Sequence, residues 1–287
     1  MIRCAFAADL HGSTSRYDKL SKIIALERPQ GVFLGGDLLP SFLQPSQPER
    51  LSYGDFIEQY MVKEFSRLRE EMQEAYPRVF VIMGNDDGRL LESLLEASET
   101  HHLWEYVHMR SVLFGRFRIY GYSYIPPTPF FLKDWERYDV SRYTDPGCIS
   151  PEEGKHSVPV DMAKERRATI REDLDRLAGE DNLDNAVFLF HAPPYGTNLD
   201  RTALDGRMID HVPIDPHIGS IAIRRFIEAR QPLLTLHGHV HESAALTHSW
   251  QDRIGQTFAF SAAHEGPELA VVRFDLEHLD GASRELV

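Results

Sequence analysis

Five short apolar runs punctuate the chain, and each closes on polar residues that a protein core tolerates only with partners. The runs are Cys4-Ala5-Phe6-Ala7-Ala8, Gly31-Val32-Phe33-Leu34, Val79-Phe80-Val81-Ile82-Met83, Ala186-Val187-Phe188-Leu189-Phe190 and Leu233-Leu234-Thr235-Leu236. They end on Asp9-Leu10-His11, Gly35-Gly36-Asp37, Gly84-Asn85-Asp86-Asp87, His191 and His237-Gly238-His239. Short continuous apolar runs bounded by turn signals read as strands buried on both faces. Strand ends are where an α/β sheet collects its functional residues. Together the clusters offer carboxylates, imidazoles and one amide, a donor set suited to two borderline divalent cations and containing no thiolate. A lone Asp-x-His would say little. Five clusters in order, each at a strand exit, point to a binuclear metal site.

The stretches between the runs supply the rest of an α/β architecture. A helix is expected over residues 15–28, with Tyr17, Leu20, Ile24 and Glu27 at helical spacing and Ser13 or Thr14 as its cap. A proline-rich turn over 38–48 leads to a long helical pattern over 49–76, with Phe56, Tyr60, Val62, Phe65, Leu68 and Met72 near one face. A short helix over 89–97 and strands over 104–109 and 117–122 follow. This β-α-β-α-β opening predicts a right-handed, largely parallel half-sheet. Helices over 158–178 and 220–230 precede the His191 and His237 strands. Ala244-Ala245-Leu246, Thr257-Phe258-Ala259-Phe260 and residues 269–274 then read as an antiparallel finish. The fold class is α/β: two stacked mixed β-sheets flanked by helices. No Pro/Gly/Ser linker divides the chain and donors come from both ends, so residues 1–287 are expected to form a single domain. Two irregular stretches, 122–156 and 192–219, are read as inserts, and ordered loops of that length are more often functional than accidental.

The order and spacing of the clusters resemble the calcineurin-like metallophosphoesterases, whose pattern is Asp-x-His, Gly-Asp, Gly-Asn-His-Asp/Glu, His and Gly-His-x-His. The resemblance runs from Asp9 to His241, about four fifths of the chain, and implies a metallophosphoesterase-like four-layer sandwich. Carried over residue by residue, it assigns Asp9, His11, Asp37 and His239 to one metal. It assigns Asp37, Asn85, His191 and His237 to the other, so that Asp37 bridges. The implied cofactors are two divalent ions (manganese, iron or zinc). The implied activity is hydrolysis of a small phosphorylated substrate, monoester or diester, by a hydroxide that bridges the metals.

Phosphate-ester hydrolysis needs a strong nucleophile at neutral pH and an answer to charge building on the phosphoryl oxygens. Two ions about 3.5–4 Å apart supply both, and a carboxylate such as Asp37 is the natural bridge. His237 and His239 stand two apart, on one face of an extended strand, and Gly238 permits a close turn there. Asp86 departs from the pattern, standing where the family has the His that protonates the leaving group or steadies the phosphate. A carboxylate beside dications favours its ionised form, which has no proton to give. Three readings stay open. Asp86 orients the loop with Asp87; a metal-bound water or His241 supplies the proton; or the leaving group is acidic enough to need none. Asp86 and His241 are thus the catalytic candidates beyond the metal ligands. Arg89, Lys133, Arg142, Arg201 and Arg207 read as surface charges, His101 and His102 as a helix end, and His108, His248 and His278 as surface positions.

Charge narrows the partners. Acids outnumber bases 44 to 31, for a net charge of −13, whereas non-specific binding to a phosphate backbone needs a basic surface. Long nucleic acid is therefore disfavoured, and a metal-dependent nuclease is the alternative within the class. A non-catalytic metal-binding scaffold is the alternative outside it, since some relatives, among them the retromer subunit of this fold, have lost metal ligands. Here all seven assigned positions carry ligating residues. Cys4 and Cys148 form no Cys-x-x-Cys and suit a reducing compartment. Residues 1–8 are too short for a signal-peptide core, and no run of about 18 apolar residues exists to span a membrane. A cytoplasmic location follows as the expectation. The oligomeric state is not legible.

Overall fold

The structure, a computed structural model, describes residues 1–41, 55–209 and 211–287. Strand and helix alternate at first: β1 (Arg3–Ala7), α1 (Thr14–Glu27), β2 (Gly31–Gly35), α2 (Val62–Met72), β3 (Arg78–Ile82), α3 (Glu92–Ala97) and β4 (Glu105–Tyr106). Then come β5 (Ser111–Phe114), β6 (Phe117–Tyr122), α4 (Met162–Glu165), α5 (Ile170–Ala178) and β7 (Ala186–Phe190). A small ribbon of β8 (Met208–Ile209) and β9 (Val212–Pro213) precedes α6 (Ile221–Arg230), β10 (Leu234–His237) and α7 (Ser243–Thr247). The last strands are β11 (Gln251–Ile254), β12 (Thr257–Ser261), β13 (Ala270–Asp275) and β14 (Ser283–Leu286).

Among the described residues these strands form two mixed sheets of six. One has the order β14-β13-β1-β2-β3-β4 and the other β11-β12-β10-β7-β6-β5. In the first, β1, β2, β3 and β4 are parallel; in the second, β6, β7, β10 and β12 are. Alternation along each strand explains the layering. Phe6, Phe33, Phe80, Val187, Leu189 and Leu236 belong to the apolar cluster between the sheets. Their neighbours Ala5, Val32, Val79, Phe188 and Phe190 belong to the cluster that includes Tyr17, Leu20 and Ile24 of α1. Both faces of the central strands are covered, which is why their sequences are unbroken apolar runs.

Several sequence expectations change. Residues 158–178 form two helices, because Thr169 is extended (φ −129°, ψ 150°) and its side chain accepts a hydrogen bond from Glu172 N, starting α5 afresh. Ala244-Ala245-Leu246 lies in α7 rather than in a strand. The finish is only partly antiparallel, because β12 pairs parallel with β10. β5, β11 and β14 were not anticipated. Of the long helical pattern, the described part contains a π-helical turn (Ile57–Met61) leading into α2. Its residues 49–54, positions 42–48 of the proline-rich turn and residue 210 lie outside the described residues.

The two irregular stretches are tied to the scaffold. Asp139 caps α6, accepting from Ser220 Oγ at 2.5 Å, Ile221 N at 2.7 Å and Ala222 N at 3.1 Å. Arg137 pairs with Asp173 of α5. The second stretch is organised around buried Asp200, which accepts from Gly196 N, Thr197 N and Gly219 N and is paired with His217 Nδ1. Among the described residues no helix is long and apolar enough to cross a membrane.

Candidate metal centre

The five clusters meet because parallel strands deliver them to a common edge and short cross-loop hydrogen bonds lock the exits together. Asp9 N donates to Gly36 O at 3.0 Å and His11 N to Asp37 O at 2.8 Å, joining the exits of β1 and β2. Asp87, fully buried, accepts from Leu38 N, Leu39 N and Gly84 N, joining β2 to β3. Burial and nearby Asp37 push its carboxyl up to about 7. Within the second sheet Gly238 N donates to His191 O, joining the exits of β10 and β7, and across the sheets His239 N reaches both oxygens of Asp9 at 3.0 and 3.2 Å. Asp9, His11, Asp37 and His239 all adopt left-handed backbone conformations, with φ of 56°, 46°, 51° and 73°. Non-glycine residues rarely do so, and such strain gathers where a site needs side chains aimed against local preference. Gly84 is required by close approach: a Cβ there would lie 2.4 Å from Asp37 Oδ1 and 2.6 Å from His191 Cε1.

One donor group comprises Asp9, His11, Asp37 and His241, whose ligating atoms all lie within 4.8 Å of one another. His11 Nε2 is 3.3 Å from His241 Nε2 and 3.9 Å from Asp37 Oδ2, and His241 Nε2 is 3.4 Å from Asp9 Oδ1. A second group surrounds His191, whose Nε2 is 3.0 Å from Asn85 Oδ1 and 3.4 Å from Asp37 Oδ2. The rings of His191 and His239 are 5.3 Å apart between centroids. Asp37 belongs to both groups. Its Oδ1 accepts from Asp86 N at 2.8 Å, so Oδ2 is the oxygen that faces the imidazoles of each.

Electrostatics match this geometry. Burial opposes charge on both Asp37 and Asp9, yet His191 and His11 hold the Asp37 carboxyl well below the usual range, and His241 lowers that of Asp9. Burial also opposes charge on His11 and His191. The carboxylates beside them prevail, Asp86, Asp37 and Asp9 for His11 and chiefly Asp37 for His191, and lift each imidazole to about 9. His239 differs, for burial pushes it down to about 3. Hard oxygens and imidazole nitrogens without thiolate form a donor set that fits borderline divalent cations.

The structure places His237 and His241 differently from what the resemblance implied. His237 is turned away from both groups. Its Nδ1 is bonded to Ala192 O at 2.9 Å and its Nε2 to Thr235 Oγ1 at 2.8 Å, and neither partner belongs to a donor group, so both ring nitrogens face away from the site. The reason is positional: β10 extends through His237 and keeps that ring inside the sheet, and the chain turns toward the site only afterwards. His241, expected at most as a proton source, stands instead among the donors of the first group. The signal was present in the pattern itself. Reading Gly-His-x-His from its own glycine gives Gly238-His239-Val240-His241. Asp86 flanks the first group, with Oδ2 3.4 Å from His11 Nδ1 and Oδ1 accepting from Ser41 Oγ. His108 is not a surface residue. It packs among Tyr106, Tyr122, Tyr124 and Trp135, and its Nδ1 accepts from Ser123 N.

The cationic side chains near the two irregular stretches are engaged elsewhere. Arg89 pairs with Glu92, buried Lys133 with Glu136, Arg142 with Glu152 and Arg201 with Asp205, while Arg207 is exposed. Sequence reasoning missed Arg16. Its guanidinium donates to Asp9 O and Gly266 O, bracing the β1 exit from behind.

A family model described as calcineurin-like phosphoesterase matches residues 2–243. No curated protein matches. One solved crystal structure is 19% identical over 99% of this chain and 98% of its own, with a TM-score of 0.59. The protein TT1561 of Thermus thermophilus is 15% identical over 99% and 98% of the two chains, with a TM-score of 0.57. A dimetal phosphatase from Danio rerio is 13% identical over 99% and 95%, with a TM-score of 0.54. At such identities the likeness is one of fold.

Proposed function

The chain belongs to the calcineurin-like phosphoesterase family, and from that premise we propose that it is a binuclear-metal-dependent hydrolase of a small phosphorylated molecule. The observation that carries this reading is the convergence of two donor groups on one shared carboxylate. Asp9, His11, Asp37 and His241 would hold one ion, with donor atoms within 4.8 Å of one another. Asp37, Asn85, His191 and His239 would hold the other. Manganese, iron or zinc suits this oxygen and nitrogen set. When bound, two such ions acidify a shared water and offset charge on the phosphoryl oxygens.

The chain's own residues orient these donors. His191 Nδ1 bonds to Gly35 O at 2.8 Å, which holds a proton on Nδ1 and would leave the Nε2 lone pair to an ion that displaces the proton there. His239 N holds the Asp9 carboxylate in place, and Asp86 N does so for Asp37. Arg16 bonds two backbone carbonyls, so its charge braces the loop rather than meeting a substrate. The acidic balance of 44 acids against 31 bases supports a small ester over long nucleic acid. The likeness to a protein named as a dimetal phosphatase is compatible with this reading.

The test is a panel of phosphomonoesters, phosphodiesters and single-stranded DNA, assayed after loading with manganese, iron or zinc. Metal-dependent turnover of small esters with little DNA cleavage is expected. Preference for DNA would favour a nuclease, and no turnover with any ion would favour a scaffold.

A further inference from the structure

Asp86 stands where the family pattern has a proton-donating His, and its surroundings give it a different task. Three contacts fix it. Its backbone N–H donates to Asp37 Oδ1 at 2.8 Å, its Oδ1 accepts from Ser41 Oγ at 2.8 Å, and its Oδ2 faces His11 Nδ1 at 3.4 Å. The opposite edge of the His11 ring points into the first donor group, where Nε2 is 3.3 Å from His241 Nε2 and 3.9 Å from Asp37 Oδ2. His11 itself sits in a left-handed backbone conformation (φ 46°), the kind of strained position found where a site aims a side chain.

His191 is oriented by a different acceptor. Its ring is held by a backbone carbonyl, Gly35 O, at 2.8 Å from Nδ1, which leaves Nε2 facing Asn85 and Asp37. For His11 the group facing Nδ1 is the Asp86 carboxylate. Each imidazole thus has an acceptor behind it and the donor groups in front, the arrangement that sets tautomer and ligand basicity in metal sites. A carboxylate is the stronger acceptor of the two.

We propose that Asp86 is a positioning residue, which holds His11 with Nδ1–H directed at its carboxylate and Nε2 directed at the Asp9, His11, Asp37 and His241 group. This rests on the binuclear reading given above. Both oxygens of Asp86 act as acceptors, one toward Ser41 and one toward His11, so the residue does not replace the family's acid. Its substitution should weaken one ion-binding group and spare the group built on Asn85, His191 and His239.

The experiment titrates metal-free wild type, Asp86→Asn and Asp86→Ala with manganese and with cobalt, following heat and the visible cobalt spectrum, and measures turnover at saturating metal. An amide oxygen still accepts the Nδ1–H, whereas alanine offers nothing. Affinity at one of two sites should therefore fall in the order wild type, Asn, Ala, with Ala losing about 10–100-fold. The cobalt spectrum of that site should change, and turnover at saturating metal should largely recover. Two unaltered affinities in both variants, with turnover lost equally, would overturn the proposal and make Asp86 the acid. Should alanine fail to fold, Asp86→Leu likewise offers no acceptor, and two affinities in that variant that match wild type overturn the proposal. Wild type binding fewer than two ions would instead overturn the binuclear reading itself.

Discussion

Both ring nitrogens of His237 are bonded to protein atoms, so removing that imidazole should cost stability and leave metal binding in place. His237→Ala strands Ala192 O in the interior and leaves Thr235 Oγ1 only its 3.4 Å bond to Phe258 O, at a cost of about 1–3 kcal/mol. It should still bind two ions. His241→Ala should bind one ion fewer and lose most activity, with little change in stability. Metal content together with thermal melts checks both, and the opposite pattern would restore His237 as the ligand. The residue scale was the least legible in the sequence, because three histidines at spacing two give two registers, and choosing between them takes the glycine of the pattern, Gly238, with which the end of β10 at His237 agrees. Protonation gives a second prediction. His11 and His191 are raised from near 6.5 to about 9 in the metal-free protein. Raised values mean that the folded state holds these protons more tightly than the unfolded one. Their contribution to stability is therefore complete below about pH 6.5 and lost as pH climbs through 9. Ions must displace the same protons. Metal affinity should thus tighten from pH 6.5 to 9, while metal-free stability declines over that window. Calorimetric titration in buffers of different ionisation enthalpy should record proton release, and pH-independent affinity without it would contradict the account.

At the level of elements, the central strands were readable because burial on both faces leaves unbroken apolar runs, as in β1, β2, β3, β7 and β10. Strands such as β11 and β14 carry polar residues on exposed positions and lack that signature. The break between α4 and α5 was legible in principle, since Thr169 and Glu172 have the spacing of a capping box. Two substitutions separate the exits of the strands from the supports behind them. Gly84→Ala puts a Cβ 2.4 Å from Asp37 Oδ1, and because Asp37 serves both donor groups, binding of both ions should fail while far-UV circular dichroism stays native. Asp139→Ala removes the acceptor for Ile221 N, Ala222 N and the Ser220 cap hydroxyl at the start of α6, and should lower stability by about 1–2 kcal/mol with both ions retained. Denaturant melts and metal analysis distinguish the two, and a Gly84→Ala protein with full metal content would show that the β3 exit tolerates displacement.

Across the whole molecule, one sheet supplies Asp9, Asp37 and Asn85 from the exits of β1, β2 and β3, and the other supplies His191, His239 and His241 from beyond β7 and β10. Neither sheet carries a complete donor group. We therefore propose that residues 1–287 behave as one domain, so that metal-free protein should unfold in a single transition seen alike by fluorescence and circular dichroism. Separate transitions would contradict this. The fold class was legible because the alternation of buried strands and helices follows from local pattern, whereas the order of strands within each sheet depends on long-range pairing. The joining of the two sheets at one site was legible only through the five polar clusters, which no single strand explains. The most direct test of the account is an anomalous-scattering map from crystals grown with manganese. Two peaks are expected, sharing Asp37, with His11 and His241 on one and His191 and His239 on the other. A single peak, or a peak beside His237, would contradict it.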